Sequence, residues 1–125
     1  MLKKALVVED SALLAKMYYS VFAFYPDCTV LFAANGLEAL DQLARERGQI
    51  DLIILDINMP KMDGLTFLKH RSQEGFGDIP VIVISTEGKD ADIRRALEAG
   101  AKAFVKKPWS PLQVKEIIDK LLQLG

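Results

Sequence analysis

Four short apolar runs punctuate the chain, at Ala5 to Val8, Leu52 to Leu55, Val81 to Ile84 and Ala103 to Val105, with a more mixed one at Val30 to Ala34. Their residues do not alternate between apolar and polar. Continuous β-branched runs of this length suit strands buried on both faces, as in a parallel sheet covered by helices. The stretches between them have a helical period. Ser11 to Phe22 carries Leu14, Met17, Tyr18 and Val21 on one side of a 3.6-residue repeat, and Gly36 to Arg45 does the same with Leu37, Leu40 and Leu43. Further helices are expected over Leu65 to Arg71, over Ala91 to Ala99 with Gly100 as C-cap, and over Pro111 to Leu124 with Ser110 as N-cap and Pro111 at the first helical position. A strand followed by a helix, repeated five times, predicts an α/β fold: a doubly wound parallel sheet with right-handed crossovers and helices on both faces.

Composition narrows this picture. With 125 residues, 50% hydrophobic and 26% charged, the chain fits one domain covering residues 1–125 and can bury a substantial core unaided. Its 16 basic and 17 acidic residues leave a net charge of -1, which gives no chain-wide electrostatic reason to expect nucleic acid or an anionic membrane as partner. The single Cys28 has no intrachain partner for a disulfide and no neighbours at zinc-ligand spacing. Met1 to Lys4 runs straight into the first strand without a signal peptide's apolar segment, and no apolar run approaches the roughly 20 residues of a membrane span. A cytoplasmic location is therefore expected.

In open parallel sheets, ligands bind outside the carboxyl ends of the strands. Glu9 and Asp10 follow Val8, Asp56 follows Leu55, Ser85 and Thr86 follow Ile84, and Lys106 and Lys107 follow Val105. Taken singly, Asp10 and Ser11 read as the start of a helix, Asp56 as a turn residue and Lys107 as a solvated charge. Together they bring three carboxylates, two hydroxyls and two ammonium groups to one rim. Two like unit charges about 4 Å apart repel by roughly 4 kcal/mol at an effective dielectric of ~20, so such acids call for a cation. Mg²⁺, which takes one or two carboxylates, keeps several waters and completes its shell with phosphate oxygens, suits Glu9, Asp10 and Asp56 better than an all-protein Ca²⁺ cage. A carboxylate can also act as nucleophile and form an aspartyl phosphate. Phosphoryl transfer is mostly positioning and charge neutralisation, with metal on one side and a lysine or hydroxyl on the other, roles open to Lys107 and Ser85.

These residues carry a resemblance. Val7-Val8-Glu9-Asp10-Ser11, Leu55-Asp56-Ile57-Asn58-Met59-Pro60-Lys61-Met62-Asp63-Gly64, Ile84-Ser85-Thr86 and Phe104-Val105-Lys106-Lys107-Pro108 together resemble the response regulator receiver family, over essentially the whole chain. The resemblance implies a flavodoxin-like (βα)5 sheet of order 2-1-3-4-5. It implies that Asp56 is phosphorylated, that Glu9, Asp10, Asp56 and the backbone carbonyl of Asn58 bind Mg²⁺, and that Lys107 contacts the phosphoryl group. Ser85 and Phe104 would form the switch pair, Ser85 standing where Thr is also common and Phe104 where many members carry Tyr. Asn58 and Glu87 would tune the lifetime of the phosphoryl group, and the Lys107-Pro108 bond is cis in the family as a rule. The partners implied are a sensor histidine kinase or histidine phosphotransfer protein as donor and a downstream protein as target. The target would meet the fourth predicted helix, the fifth strand and the fifth helix. Such a protein is not an enzyme in the ordinary sense, catalysing only its own phosphorylation and dephosphorylation. No residues follow the last helix, so a stand-alone signalling domain is expected.

Two other classes compete. A Mg²⁺-dependent phosphatase or phosphotransferase of the dehalogenase-like kind also uses a strand-end aspartate, but it places a second one two residues on, where this chain has Asn58. A flavin-binding module of similar fold needs a glycine-rich phosphate cradle after the first strand, where this chain has Glu9-Asp10-Ser11. His70, the sole histidine, is expected at the surface near a helix end. Of the aromatic cluster Tyr18, Tyr19, Phe22, Phe24 and Tyr25, most members are expected in the core, with Tyr19 facing outward as a candidate partner contact. Trp109 is expected to pack at the start of the last helix.

Overall fold

In the computed structural model the apolar runs form strands β1 (Lys4–Val8), β2 (Thr29–Ala33), β3 (Leu52–Asp56), β4 (Val81–Ser85) and β5 (Ala103–Lys106). They pair in parallel as one sheet in the order β2-β1-β3-β4-β5. Residues 2–47, 49–57, 64–85 and 90–124 are described, without the side chains of residues 85, 90 and 92. Helices α1 (Ala12–Met17), α2 (Tyr19–Phe22), α3 (Gly36–Arg45), α4 (Gly64–Gln73), α5 (Asp90–Glu98) and α6 (Pro111–Leu122) fill the crossovers. The first expected helix is thus two, divided at Tyr18. Among the described residues no helix is long and apolar enough to cross a membrane.

Successive side chains of a strand point to opposite faces, and both faces here are apolar. Leu6, Val8, Ile53, Leu55, Val81 and Val83 pack with Ala39, Leu43, Phe67, Leu68 and Ala96 on the side of α3, α4 and α5. Ala5, Val7, Leu52, Ile54, Ile82 and Ile84 pack with Tyr18, Val21, Phe22, Val114 and Ile118 on the side of α1, α2 and α6. The central strand β3 is buried throughout, whereas the edge strands β2 and β5 are partly exposed, which explains the mixed composition of the run at 30–34.

Two helix stripes differ from their expected orientation. Leu37 is 55% exposed and Met17 51% exposed. In α3 the inward positions are Gly36, Ala39 and Leu43, small residues that let the helix lie close to the sheet. In α1 no residue is fully buried, and the inward anchors are Tyr18 at its end and Val21 in α2. Tyr18 and Phe22 are core, Tyr25 is half-buried, and Tyr19 and Phe24 lie exposed. His70 is exposed, as expected.

The helix ends follow local chemistry. The Ser110 hydroxyl accepts from the Gln113 amide with Pro111 opening α6, and the Asn35 side chain accepts from the Glu38 amide to open α3. Gly100, at φ 109°, ends α5 with amide bonds from Gly100 to Leu97 O and from Ala101 to Ala96 O. Arg71 joins this end to that of α4. It is 1% exposed and donates to the carbonyls of Phe76 at 3.0 Å and Gly100 at 3.3 Å. Burial lowers its pKa from the usual guanidinium value, and Asp78 works the other way.

Arg71→Ala leaves a cavity and two carbonyls without their donor, and should therefore cost about 3 kcal/mol of stability. Urea denaturation measures this, and a loss below about 0.5 kcal/mol, the range of an ordinary surface substitution, would show that the guanidinium bonds are not structural.

Candidate functional site

The parallel register aligns the strand ends. Val8 lies opposite Leu55, Asp56 opposite Ile84, and Ser85 opposite Lys106. Glu9 continues the line of β1, its amide donating to Ala33 O at 2.9 Å. Asp56 is itself the last residue of β3, one position further into the sheet than expected, so its backbone is held by the ladder. Asp10 lies just before α1, where the Ser11 hydroxyl accepts from the Leu14 amide at 3.2 Å.

Glu9, Asp10 and Asp56 present carboxylate oxygens that all lie within 4.8 Å of one another. Glu9 is 5% exposed and Asp56 7% exposed, while Asp10 opens to solvent. Lys107 reaches in from the end of β5, with its Nζ 3.8 Å from Glu9 Oε1 and 3.7 Å from Asp56 Oδ2. Those separations are ionic contacts too long for hydrogen bonds. Both Glu9 carboxylate oxygens are buried and accept no hydrogen bond from a described donor. Burial pushes the Glu9 carboxyl up to about 8, helped by the neighbouring Asp56 and Asp10 carboxylates, against Lys107.

This donor set fits a hard divalent cation. Oxygen ligands from three carboxylates converge, two oxygens lack a donor, and one lysine stands opposite three acids. Of the other residues expected here, Ser85 ends β4, its side chain outside the description, and Asn58 and Glu87 lie outside the described residues. Phe104 is half-buried in β5 and packs against the core on the α5 side of the sheet. The Lys107-Pro108 bond is cis.

Three residues near the site had no site role on sequence grounds. The Tyr18 ring stacks on Trp109, with centroids 5.0 Å apart and planes inclined by 30°. Both line a cavity of about 280 Å³ together with Glu9, Leu14, Met17, Lys107 and Pro108. Burial and the carboxylates of Glu9 and Asp56 raise the Tyr18 phenol above the usual range. Gly64 is the third. Its amide donates to Ile57 O at 3.0 Å, and a Cβ there would lie 2.7 Å from Ile57 Cα, so the chain returns tightly against the end of β3. A glycine directly ahead of an apolar helix, eight residues after a strand-end acid, was the available signal.

An acid cluster facing a lysine across the carboxyl edge of a 2-1-3-4-5 sheet is the architecture of a phosphoacceptor signalling domain. Comparison with known proteins identifies it. The response regulator receiver domain family matches residues 5–119. The Chemotaxis protein CheY homolog of Campylobacter jejuni is 34% identical over 123 residues, 98% of this chain and 94% of that protein. Chemotaxis protein CheY1 of Helicobacter pylori is 36% identical over 120 residues, 95% and 96% of the two chains. Among solved structures, a chain of the CheX-CheY-BeF3-Mg²⁺ complex from Borrelia burgdorferi matches with a TM-score of 0.86 and 32% identity, covering 94% of this chain and 87% of that one. The chain belongs to the response regulator receiver family, the phosphoacceptor domains of two-component signalling. Such domains are signalling proteins that work with histidine kinases and downstream targets and bind Mg²⁺ at an acidic pocket, and the dehalogenase-like alternative has no support.

Glu9 keeps its proton to about pH 8 in the folded protein, against an ordinary value of 4.5 in the unfolded chain. Folding therefore takes up a proton between these values, and the stability linked to it is full at the acid end and lost as pH rises through about 8. Without metal, the urea midpoint should fall across this window, and Glu9→Gln should flatten the fall. Mg²⁺, which binds the deprotonated acids, should raise stability most at the alkaline end. A metal-free midpoint that climbs across the same window would contradict the burial of Glu9.

Proposed function

We propose that Asp56 is the phosphoryl acceptor. The observation that carries this is its place at the end of the buried central strand, 7% exposed, beside Glu9 and with Lys107 Nζ 3.7 Å from Oδ2. An Asp56 carboxylate oxygen attacks the phosphorus of a phosphohistidine on a sensor kinase or histidine phosphotransfer protein. The oxygen–phosphorus bond forms as the phosphorus–nitrogen bond breaks, and the imidazole leaves with the electron pair and takes a proton from solvent. Lys107 neutralises a phosphoryl oxygen, and the Ser85 hydroxyl donates to another once the group is in place. Glu9 and Asp10 would hold Mg²⁺ with Asp56 and the Asn58 carbonyl, and the ion would supply neutralisation of charge on the transferred group. Asn58 and Glu87 tune the lifetime of the phosphoryl group, and the protein's catalysis ends with its own phosphorylation and dephosphorylation.

The output follows from the same site. A dianionic phosphoryl group draws Ser85 toward it, and Phe104 of β5, packed against the α5 side of the core, fills the space released. Moving a population from 1:99 to 99:1 takes about 5.5 kcal/mol, a sum that the bonds from Ser85, Lys107 and the metal together reach. The face made by α5, β5 and α6 then meets a downstream protein. Leu97 and Leu112, 47% and 54% exposed on α5 and α6, support that placement.

Acetyl phosphate with Mg²⁺ should add one acid-labile phosphoryl group, read by intact mass, and Asp56→Asn or removal of Mg²⁺ should abolish it. Labelling that persists unchanged in Asp56→Asn would overturn the assignment. Beryllofluoride with Mg²⁺ should move amide NMR signals at Phe104 and along α5, and Ser85→Ala should suppress those shifts while Asp56 still reacts. Shifts confined to the strand-end loops would sink the switch.

A further inference from the structure

Lys107 must hold its ammonium over Asp56, yet the segment that carries it is a short link between β5 and α6, and on its α1 side lies a cavity rather than close packing. That cavity, about 280 Å³, is lined by Leu14 and Met17 of α1 and by Tyr18, Lys107, Pro108 and Trp109. The aromatic stack of Tyr18 on Trp109, at 5.0 Å between centroids, bridges its two sides. Tyr18 is 3% exposed and belongs to the core under α1, α2 and α6, so its ring is a fixed platform. Trp109 is half-buried and lies two residues after Lys107. The far end of the link is fixed by the Ser110 cap of α6. Between Lys106, held in the ladder opposite Ser85, and the Ser110 cap, the ring contact is what braces the link that carries Lys107.

We infer that Tyr18 is a positioning residue for the phosphorylation reaction, acting through Trp109 to hold Lys107 at the site. This rests on the assignment of Asp56 and Lys107 above. Aromatic rings stack in a geometry that an aliphatic side chain of similar volume does not reproduce. A displacement of about 1 Å in a catalytic group can cost on the order of 100-fold in rate, so a loosened link at this distance should lose about tenfold. The Tyr18 oxygen also accepts a hydrogen bond from the Trp109 side chain, so ring and hydroxyl together tie the two residues.

The test is the rate of phosphorylation by phosphoramidate at saturating Mg²⁺, with Mg²⁺ affinity measured separately by calorimetry and folding checked by urea denaturation. Tyr18→Phe, which keeps the ring stack but loses the bond from Trp109, should lose less than Tyr18→Leu, while Tyr18→Leu and Trp109→Leu should each lose about tenfold with Mg²⁺ affinity nearly unchanged. The double variant should be no slower than either single one. In a Lys107→Ala background, Tyr18→Leu should have no further effect, an outcome that mere loss of stability would not produce. If Tyr18→Leu does not fold, Trp109→Leu, at the more exposed end of the contact, carries the same comparison. An unchanged rate in the leucine variants, or an equal loss with and without Lys107, would overturn the inference. A wild-type protein that is not phosphorylated, or one phosphorylated despite Asp56→Asn, would instead overturn the reading on which it rests.

Discussion

The structure turns on two buried carboxylates, Glu9 and Asp56, placed side by side at the ends of adjacent parallel strands. Strand pairing puts them there: Val8 opposite Leu55 obliges the next residues to stand together, and neither backbone can yield without breaking the ladder. Their repulsion is met by one ammonium at 3.7 and 3.8 Å, and the Glu9 oxygens have no described donor. Protonation of Glu9 relieves this arrangement when metal is absent. A divalent cation relieves it better, because it adds charge where protonation removes a ligand.

The surrounding fold keeps that arrangement in place. Two apolar faces cover the sheet, and β3 is buried along its whole length, so the strand ends do not relax toward water. At the opposite end of the helices, Arg71 ties the terminus of α4 to that of α5 through Phe76 O and Gly100 O.

Much of this was legible in the residues. The five strands showed as unbroken apolar runs because both faces of the sheet are covered, and the site showed as the polar residue after each run because parallel strands all end at one edge. The inward faces of α1 and α3 were harder to read. Leu37 and Met17 obey the helical period yet lie exposed, since Gly36 and Ala39 face the sheet in one case and Tyr18 ends the helix in the other. Hydrophobicity marks a stripe but does not say whether small residues will let the helix come close. The burial of Arg71 and the stack of Tyr18 on Trp109 depend on the path of connecting segments, which no local pattern encodes. Asn58 and Glu87 lie outside the described residues, so their roles rest on resemblance.

The central claim is that strand pairing makes Asp56, among the three clustered acids, the nucleophile, while Glu9 and Asp10 serve as ligands. Borohydride reduction of the phosphorylated protein converts an acyl phosphate to an alcohol and so marks the acceptor itself. Peptide mass spectrometry after this treatment should find homoserine in place of Asp56 when Mg²⁺ was present during phosphorylation, and unmodified aspartate when it was chelated. Reduction product at Asp10, a hydroxynorvaline at Glu9, or modification of Asp56 to equal extent without Mg²⁺ would contradict the account.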